Sequence, residues 1–512
     1  MSPRASAARS FAVLPSARAP AIATTRSFGG AAGTPDALLA IVPLPAQPRA
    51  FARLPDAARW RALNARAAPR AASVRTTVLG NAQQTLAVLG YLAADSSPFE
   101  RLTLAARMLK EATARSPASI GLAAFGAGAS ARGALEALLA AALVYAFPLP
   151  SFRSAARDEC ALRRLAVLDG AGLDLRYAGA VARGTNLARW LTALPPNILD
   201  ARSYRQAIAR LAGAHGLRLR WLDERALRRA GAGAFLAVAS GNEERGAGIA
   251  HLRYRPARRR GRARPDIALV GKGILFDTGG VNLMTHRSML EMHTDMSGSA
   301  VALATLLALA ELRAPLAADA WLAITENRIG PQAYRPQEIV TAANGVTIQV
   351  IHTDAEGRMV LADTLALAGR TRPRFMLDFA TLTGACVYAL TERMSGVFSN
   401  RPQLAATLSE AGRVSGERVW NFPNDSDYDA DIDSKVADVQ QCALEGKGDH
   451  ILATRFLSRF VPQDTAWVHV DLSSATRSGG LAHVGTDVTG FGVRFALELI
   501  LGQNVLGALG RS

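Results

Sequence analysis

Two carboxylates separated by a single residue, Asp354 and Glu356, stand between a β-branched run at 347–351 and an apolar run from Met359 onward. The first run alternates as a strand does and the second has helical spacing, so the pair is expected where a strand ends. Residues two apart on extended backbone point to the same side, so the two carboxylates converge while Ala355 turns away. Like charges held that close repel unless a cation lies between them or one carboxyl takes a proton. Arg358 adds one positive charge nearby, and a lone guanidinium beside such a pair reads as the neighbour of a metal site rather than its substitute.

A second stretch upstream strengthens that reading. Ala268-Leu-Val-Gly-Lys-Gly-Ile-Leu-Phe-Asp-Thr-Gly-Gly carries Lys272 and Asp277, and Asp295 follows in Met292-His-Thr-Asp-Met. Lysine occurs only at positions 110, 272, 435 and 447, in a chain that otherwise uses arginine for its positive charge. An amine kept between two glycines at the end of an apolar strand can lose its proton when buried and offer a lone pair; a guanidinium cannot. Lys272, Asp277, Asp295, Asp354 and Glu356 together make one amine and four carboxylates, donors enough for two divalent cations. The plainer alternative is a buried ion pair between Lys272 and Asp277.

These residues resemble the leucyl aminopeptidase family, the cytosolic two-metal exopeptidases. The resemblance runs through Val270-Gly-Lys-Gly, Phe276-Asp-Thr-Gly-Gly, Asp295-Met, Thr325-Glu-Asn, Ala333-Tyr-Arg-Pro, Thr353-Asp-Ala-Glu-Gly-Arg, Leu361-Ala-Asp, Ala380-Thr-Leu-Thr-Gly-Ala and Thr489-Gly-Phe-Gly-Val-Arg. It covers the chain from about Leu194 onward, with His352 where the family signature has asparagine.

The resemblance implies a metal-dependent aminopeptidase that releases amino-terminal residues from peptides, with manganese or zinc as the two metals. Lys272 and Asp295 would serve one metal, Asp354 the other, and Asp277 and Glu356 would bridge both. Arg358 would hold a small anion, bicarbonate in the family, that acts as base. Met292, Thr381, Leu382 and Gly384 match positions that line the side-chain pocket and align the peptide, which implies Leu- or Met-like first residues. A cytoplasmic homohexamer is implied as well. The family's second catalytic lysine, however, falls on Met284, and a thioether can neither donate a hydrogen bond nor carry charge. Activity is therefore expected to be reduced, unless His286 or Arg287, just downstream, reaches back to replace that cation. His293 and His352 are expected to lie near the ligands without belonging to them.

The elements that must position these residues alternate along the chain. Strands are expected at 267–276, 321–325, 347–351, 375–380 and 467–472, and helices at 299–312 and 359–368. Such alternation implies an α/β fold with a mostly parallel central sheet covered by helices on both faces, and ligands in such sheets bind at the carboxyl ends of strands. Upstream, the apolar run at 37–42 and helical stretches at 100–113 and 132–147 imply a separate α/β domain, of macro-like type by the resemblance. The Gly126-Ala-Gly128 turn there lacks the third glycine of a dinucleotide loop. The division is expected as a basic extension without fixed structure at 1–35, an amino-terminal domain at 36–183 and a metal-peptidase domain at 184–512.

A chain of 512 residues, nearly half of them apolar, can bury a large core. Three separated cysteines, Cys160, Cys386 and Cys442, exclude a disulfide framework and a Cys-based zinc site. No apolar run has the length to span a bilayer. The first 35 residues contain no acid and carry Arg4, Arg9, Arg18 and Arg26, a composition shared by transit peptides and basic extensions. The net charge of +17 and the arginine-rich run from Arg253 to Pro265, expected as a surface loop, keep a rival open: a non-catalytic homologue that assembles or binds DNA on the same scaffold.

Overall fold

The computed structural model describes residues 12–510 except 17, 29–32, 47, 67, 127, 155–159, 244–245 and 258–263. Residues 1–11 of the basic extension, Ala127 of the glycine turn and 258–263 of the arginine-rich run thus lie outside the described residues.

The first half of the chain builds a six-stranded sheet from β1 (Ala21–Thr25), β2 (Ala37–Pro43), β3 (Val74–Val78), β4 (Leu86–Leu92), β5 (Ser119–Ala124) and β6 (Arg164–Leu168). Its order is β1-β6-β5-β2-β4-β3, and every pairing is parallel except β3 with β4. β1 corrects the expectation of an extension without structure up to residue 35, because Ala21–Thr25 pairs in register with Arg164–Leu168. As an edge strand it is largely exposed, so it carries no apolar alternation, and main-chain pairing orders it, with Ile22 packed against the core. Helix Pro98–Thr113 begins with a capping box between Ser97 and Glu100 and packs beside helix Gly128–Tyr145 on this sheet.

Helix Leu175–Thr192 joins the two halves and packs against both Gly128–Tyr145 and helix Ser297–Glu311. The division expected at 183/184 falls inside this helix. Gly184, expected to open the second domain, is a close-packing residue inside the helix: a β-carbon there would lie 2.9 Å from a Val493 methyl.

The second half contributes β7 (Arg218–Asp223), β8 (Gly248–Tyr254), β9 (Ile267–Asp277), β10 (Ala318–Asn327), β11 (Ile339–Thr341), β12 (Thr347–Gln349), β13 (Phe375–Ala380), β14 (Ser395–Ser399), β15 (Val419–Asn421), β16 (Val439–Gln440) and β17 (Ala466–Asp471). Eight of these form one sheet in the order β15-β14-β17-β13-β9-β10-β8-β7, while β11, β12 and β16 form a small separate one. The four central strands, β17, β13, β9 and β10, are parallel, and β14, β8 and β7 join in antiparallel fashion.

The central strands are buried on both faces, which is why they read as continuous apolar runs. Ile267 and Leu269 share a core with helix Ser297–Glu311 on one face, and Ala268 and Val270 share another with helix Glu356–Gly369 on the opposite face. Arg253 and Tyr254, expected in a loop, complete β8. Among the described residues no helix is long and apolar enough to cross a membrane.

Candidate metal centre

The site gathers at the carboxyl ends of the central strands of the eight-stranded sheet, where β13 ends and β9 runs on. β13 pairs with β9 only as far as Phe379 opposite Gly271, so Lys272 emerges just past the end of its neighbour. It is mid-strand with respect to β10, opposite Ala323, rather than at the end of its own strand as the sequence suggested. Two close approaches make this end compact: a β-carbon at Gly271 would lie 2.6 Å from the Gly298 carbonyl oxygen, and one at Gly298 would lie 2.1 Å from that of Phe379. Glycine is required at both positions for helix Ser297–Glu311 to seat its first turn on the sheet.

The structure brings all five proposed ligands together. Lys272 Nζ lies 2.8 Å from Asp295 Oδ2 and 2.9 Å from Glu356 Oε1, and it donates to the Thr381 carbonyl at 3.0 Å. Oxygens of Asp277, Asp354 and Glu356 lie within 4.8 Å of one another. Asp354 and Glu356 converge as expected, but not on extended backbone: β12 stops at Gln349 and Glu356 already opens helix Glu356–Gly369. A turn across Ala355, rather than a strand, turns the two carboxylates to one side.

The buried ion pair weighed against the metal reading is present in a different form, since Lys272 pairs with Asp295 and Glu356. One ammonium does not satisfy four acids. Burial raises the pKa of Asp277, and the facing Glu356 and Asp295 raise it further. Burial and the adjacent Glu356 push Asp354 up to about 7. Burial opposes the charge on Lys272, but Asp295, Glu356 and Asp277 outweigh it and hold the pKa of the amine high. Asp354 Oδ1 and Glu356 Oε2 are buried without a hydrogen-bond partner. Buried carboxylate oxygens left unsatisfied beside like charges are costly, and a divalent cation among them removes the cost. The residues present therefore fit a metal centre.

Supporting residues fix the ligands. Asp277 Oδ1 accepts from Asn327 Nδ2 and from the Gly279 amide, both at 2.8 Å. Asn327 Nδ2 also donates to the Thr353 carbonyl at 3.0 Å, tying β10 to the segment before Asp354. Thr381 Oγ1 donates to Asp295 Oδ1 at 2.7 Å.

The ligands open into a cavity of about 580 Å³, lined also by Met284, Met292, His352, Arg358, Thr381, Leu382 and Gly384. Every site residue proposed from sequence thus reaches one cavity. His352 does not join the ligands; its Nδ1 accepts from the Asp354 amide at 3.3 Å. His286 and Arg287 are exposed on the short helix His286–Met289 and lie outside the lining. They do not reach back to replace the missing cation, because the turn after Met284 carries them outward.

Three residues went unnoticed in the sequence. Asn327 ends the stretch Thr325-Glu-Asn, where nothing in the sequence alone marks it as a support for Asp277. Asp471 ends β17 and accepts from the Leu382 amide at 3.0 Å and Thr383 Oγ1 at 2.6 Å, so its position at a strand's carboxyl end was the available signal. Asp449 binds Arg358 from 91 positions away, and no local pattern marks it.

Comparison with known proteins agrees with this geometry. A model of the cytosol aminopeptidase family, catalytic domain, matches residues 186–497. The chain is 36% identical over 437 residues to a probable cytosol aminopeptidase of Synechococcus sp. (strain CC9605), covering 84% of this chain and 88% of that protein. It is 36% identical over 423 residues to another from Parasynechococcus marenigrum (strain WH8102), covering 81% and 85%. Among solved structures, a mutant of tomato leucine aminopeptidase superposes with a TM-score of 0.80 at 26% identity, over 94% of this chain and 97% of that one. The bottromycin maturation enzyme BotP in complex with manganese superposes with a TM-score of 0.79 at 27% identity, over 92% and 100%. With its carboxylate cluster set in that fold, the chain belongs to the cytosol aminopeptidase family and is a metal-dependent aminopeptidase.

Proposed function

We propose that this chain removes single residues from the amino termini of peptides at a dinuclear centre of manganese or zinc held by Lys272, Asp277, Asp295, Asp354 and Glu356. The observation that carries the reading is the convergence of Asp277, Asp354 and Glu356 with partnerless buried oxygens at the wall of an open cavity. Divalent cations in such a set polarise a carbonyl and lower the pKa of water.

The chain's own residues supply the rest. Asn327 and the Gly279 amide fix Asp277, and Thr381 fixes Asp295. Met292, Met284 and Leu382 present apolar surface to the cavity, which suits a Leu- or Met-like first side chain, with Thr381 and Gly384 beside them aligning the peptide. Arg358 lines the cavity at the position where the resemblance expects bicarbonate, and Asp449 is the anion paired with it. The position of Met284 leaves the site without a second amine, so turnover is lower than that of a lysine-bearing site. Similarity to cytosol aminopeptidases supports a cytoplasmic location, and a homohexamer follows from the family resemblance.

The assembly or DNA-binding alternative is not favoured. Of the arginines on which it rested, Arg253 lies in β8 and Arg255 pairs with Asp319 at 2.5 Å. The deciding experiment is hydrolysis of leucine-p-nitroanilide by chelated protein to which manganese or zinc is returned. Metal-dependent release of nitroaniline is expected; silence with both metals would overturn the proposal.

A further inference from the structure

The cavity holds a carboxylate that belongs to no ligand set. Arg358 is buried, its side chain 3% exposed, and it extends from the first turn of helix Glu356–Gly369. Its Nη2 donates to both Asp449 oxygens, at 2.8 and 2.7 Å, and its Nη1 donates to the Gln441 carbonyl at 3.2 Å. Asp449 begins helix Asp449–Ser458 and keeps 23% of its side chain exposed while lining the same cavity as the proposed ligands. The guanidinium facing the cavity is therefore already neutralised by a residue of the chain itself.

Hydrolysis at such a centre needs a group to take the proton of the attacking water. Among the described residues, the acids lining the cavity apart from the ligand set are Glu392, Asp449 and Asp471. Asp471 is buried and occupied by the Leu382 amide and the Thr383 hydroxyl. Glu392 lies exposed on the turn Thr391–Arg393 at the rim. Asp449 alone is both fixed in place and open to the cavity.

We propose that Asp449, held by Arg358, is a built-in carboxylate base that takes the place of an external anion such as bicarbonate. As the water oxygen bonds to the scissile carbonyl carbon, Asp449 takes its proton. As the carbon–nitrogen bond breaks, that proton passes to the leaving amine, and Asp449 returns to its ionised form. Nothing is oxidised or reduced. The inference rests on the peptidase reading above for its catalytic half, whereas occupancy of Arg358 stands on the ion pair alone.

The test combines kinetics with a binding measurement on the full chain. In bicarbonate-free buffer the parent hydrolyses leucine-p-nitroanilide at a rate that added bicarbonate does not raise. Asp449→Ala loses about 10²–10⁴-fold in kcat and recovers in part, saturably, with bicarbonate or formate. Carbon-13 line widths of labelled bicarbonate, measured on chelated protein, report no binding to the parent and binding to Asp449→Ala. Because that variant strands a buried guanidinium, Asp449→Asn serves beside it: the amide still accepts from Arg358, and the same loss in kcat without rescue is expected. Activation of the parent by bicarbonate, binding of bicarbonate to the parent, or an undiminished rate in both variants would each overturn the proposal. A parent that is silent with every metal would fail the peptidase reading and the base role with it, while the line widths would still decide whether Asp449 fills the anion site.

Discussion

Gly357 and Lys272 meet across the site with no room for a methyl group: a β-carbon at Gly357 would lie 2.6 Å from Lys272 Nζ. Gly357 is the second residue of helix Glu356–Gly369, where alanine would be the better helix former by about 1 kcal/mol. The atom it would strike is the far end of a flexible side chain, which gives way. Gly357→Ala should therefore leave the melting temperature within about 3 °C of the parent yet lower divalent-metal affinity about 10–100-fold. Chelator competition against manganese, beside a thermal melt, separates the two effects. A large drop in melting temperature with affinity unchanged would show that the glycine serves the fold and not the amine.

Asp354 sits at the other side of the cluster, where burial and Glu356 push its carboxyl up to about 7. Removing that charge relieves repulsion when no cation is bound. Asp354→Asn is expected to melt no lower than the parent in chelator. The parent should gain about 2.7 kcal/mol when manganese is supplied at a hundred times its Kd, and the variant should gain almost nothing at that concentration. A full manganese response in the variant would remove Asp354 from the ligands.

Met284 lines the cavity, half-buried, with its amide donating to the Thr278 carbonyl at 2.9 Å. Its place on the wall allows a longer cationic side chain to face the substrate. Met284→Lys should raise kcat by about 10²–10³, the usual worth of one donor to a developing oxyanion. His286→Ala and Arg287→Ala, both outside the lining, should leave the rate unchanged. A parent that Met284→Lys does not improve would mean that another donor already does that work.

The carboxylates were legible because they sit at ends of strands or beside turns, where sequence pattern and chemistry coincide; Lys272, in mid-strand, was legible because lysine is rare in this chain. Asp277 ends an apolar run, and Asp354 and Glu356 separate a strand pattern from a helix pattern. Their convergence nevertheless owes nothing to extended backbone, which stops at Gln349; a turn brings them together. Central strands were found to within a few residues: Phe375–Ala380 appears as expected. Burial on both faces makes such strands unmistakable apolar runs.

What stayed hidden depends on partners far away in the chain. β1 is a strand because Arg164–Leu168 lies beside it, and nothing in Ala21–Thr25 alone announces that. Gly184 is expected from sequence to open the second domain, but packing against Val493 inside a continuous helix is what selects glycine there. Asp449 follows Glu445-Gly-Lys-Gly, which reads as a polar loop, and only the fold delivers it to Arg358.

Glu417 offers a pH test away from the site. Its Oε2 accepts from the Gly492 and Phe495 amides at 2.9 and 2.8 Å, yet burial outweighs those bonds and raises its pKa from 4.5 to about 7. Between those two values the folded protein holds a proton that the unfolded chain has released, so this group's contribution to stability is full below 4.5 and is lost as pH rises through about 7. Glu417→Gln keeps a carbonyl oxygen for both amides and removes the titration. Denaturant midpoints at pH 5 and pH 7 should show the parent losing ground to the variant as pH rises, by at most about 1.4 kcal/mol for each pH unit. A parent–variant difference that does not change with pH would show that the buried carboxylate stays ionised, with the two amides supplying all the stabilisation its charge requires.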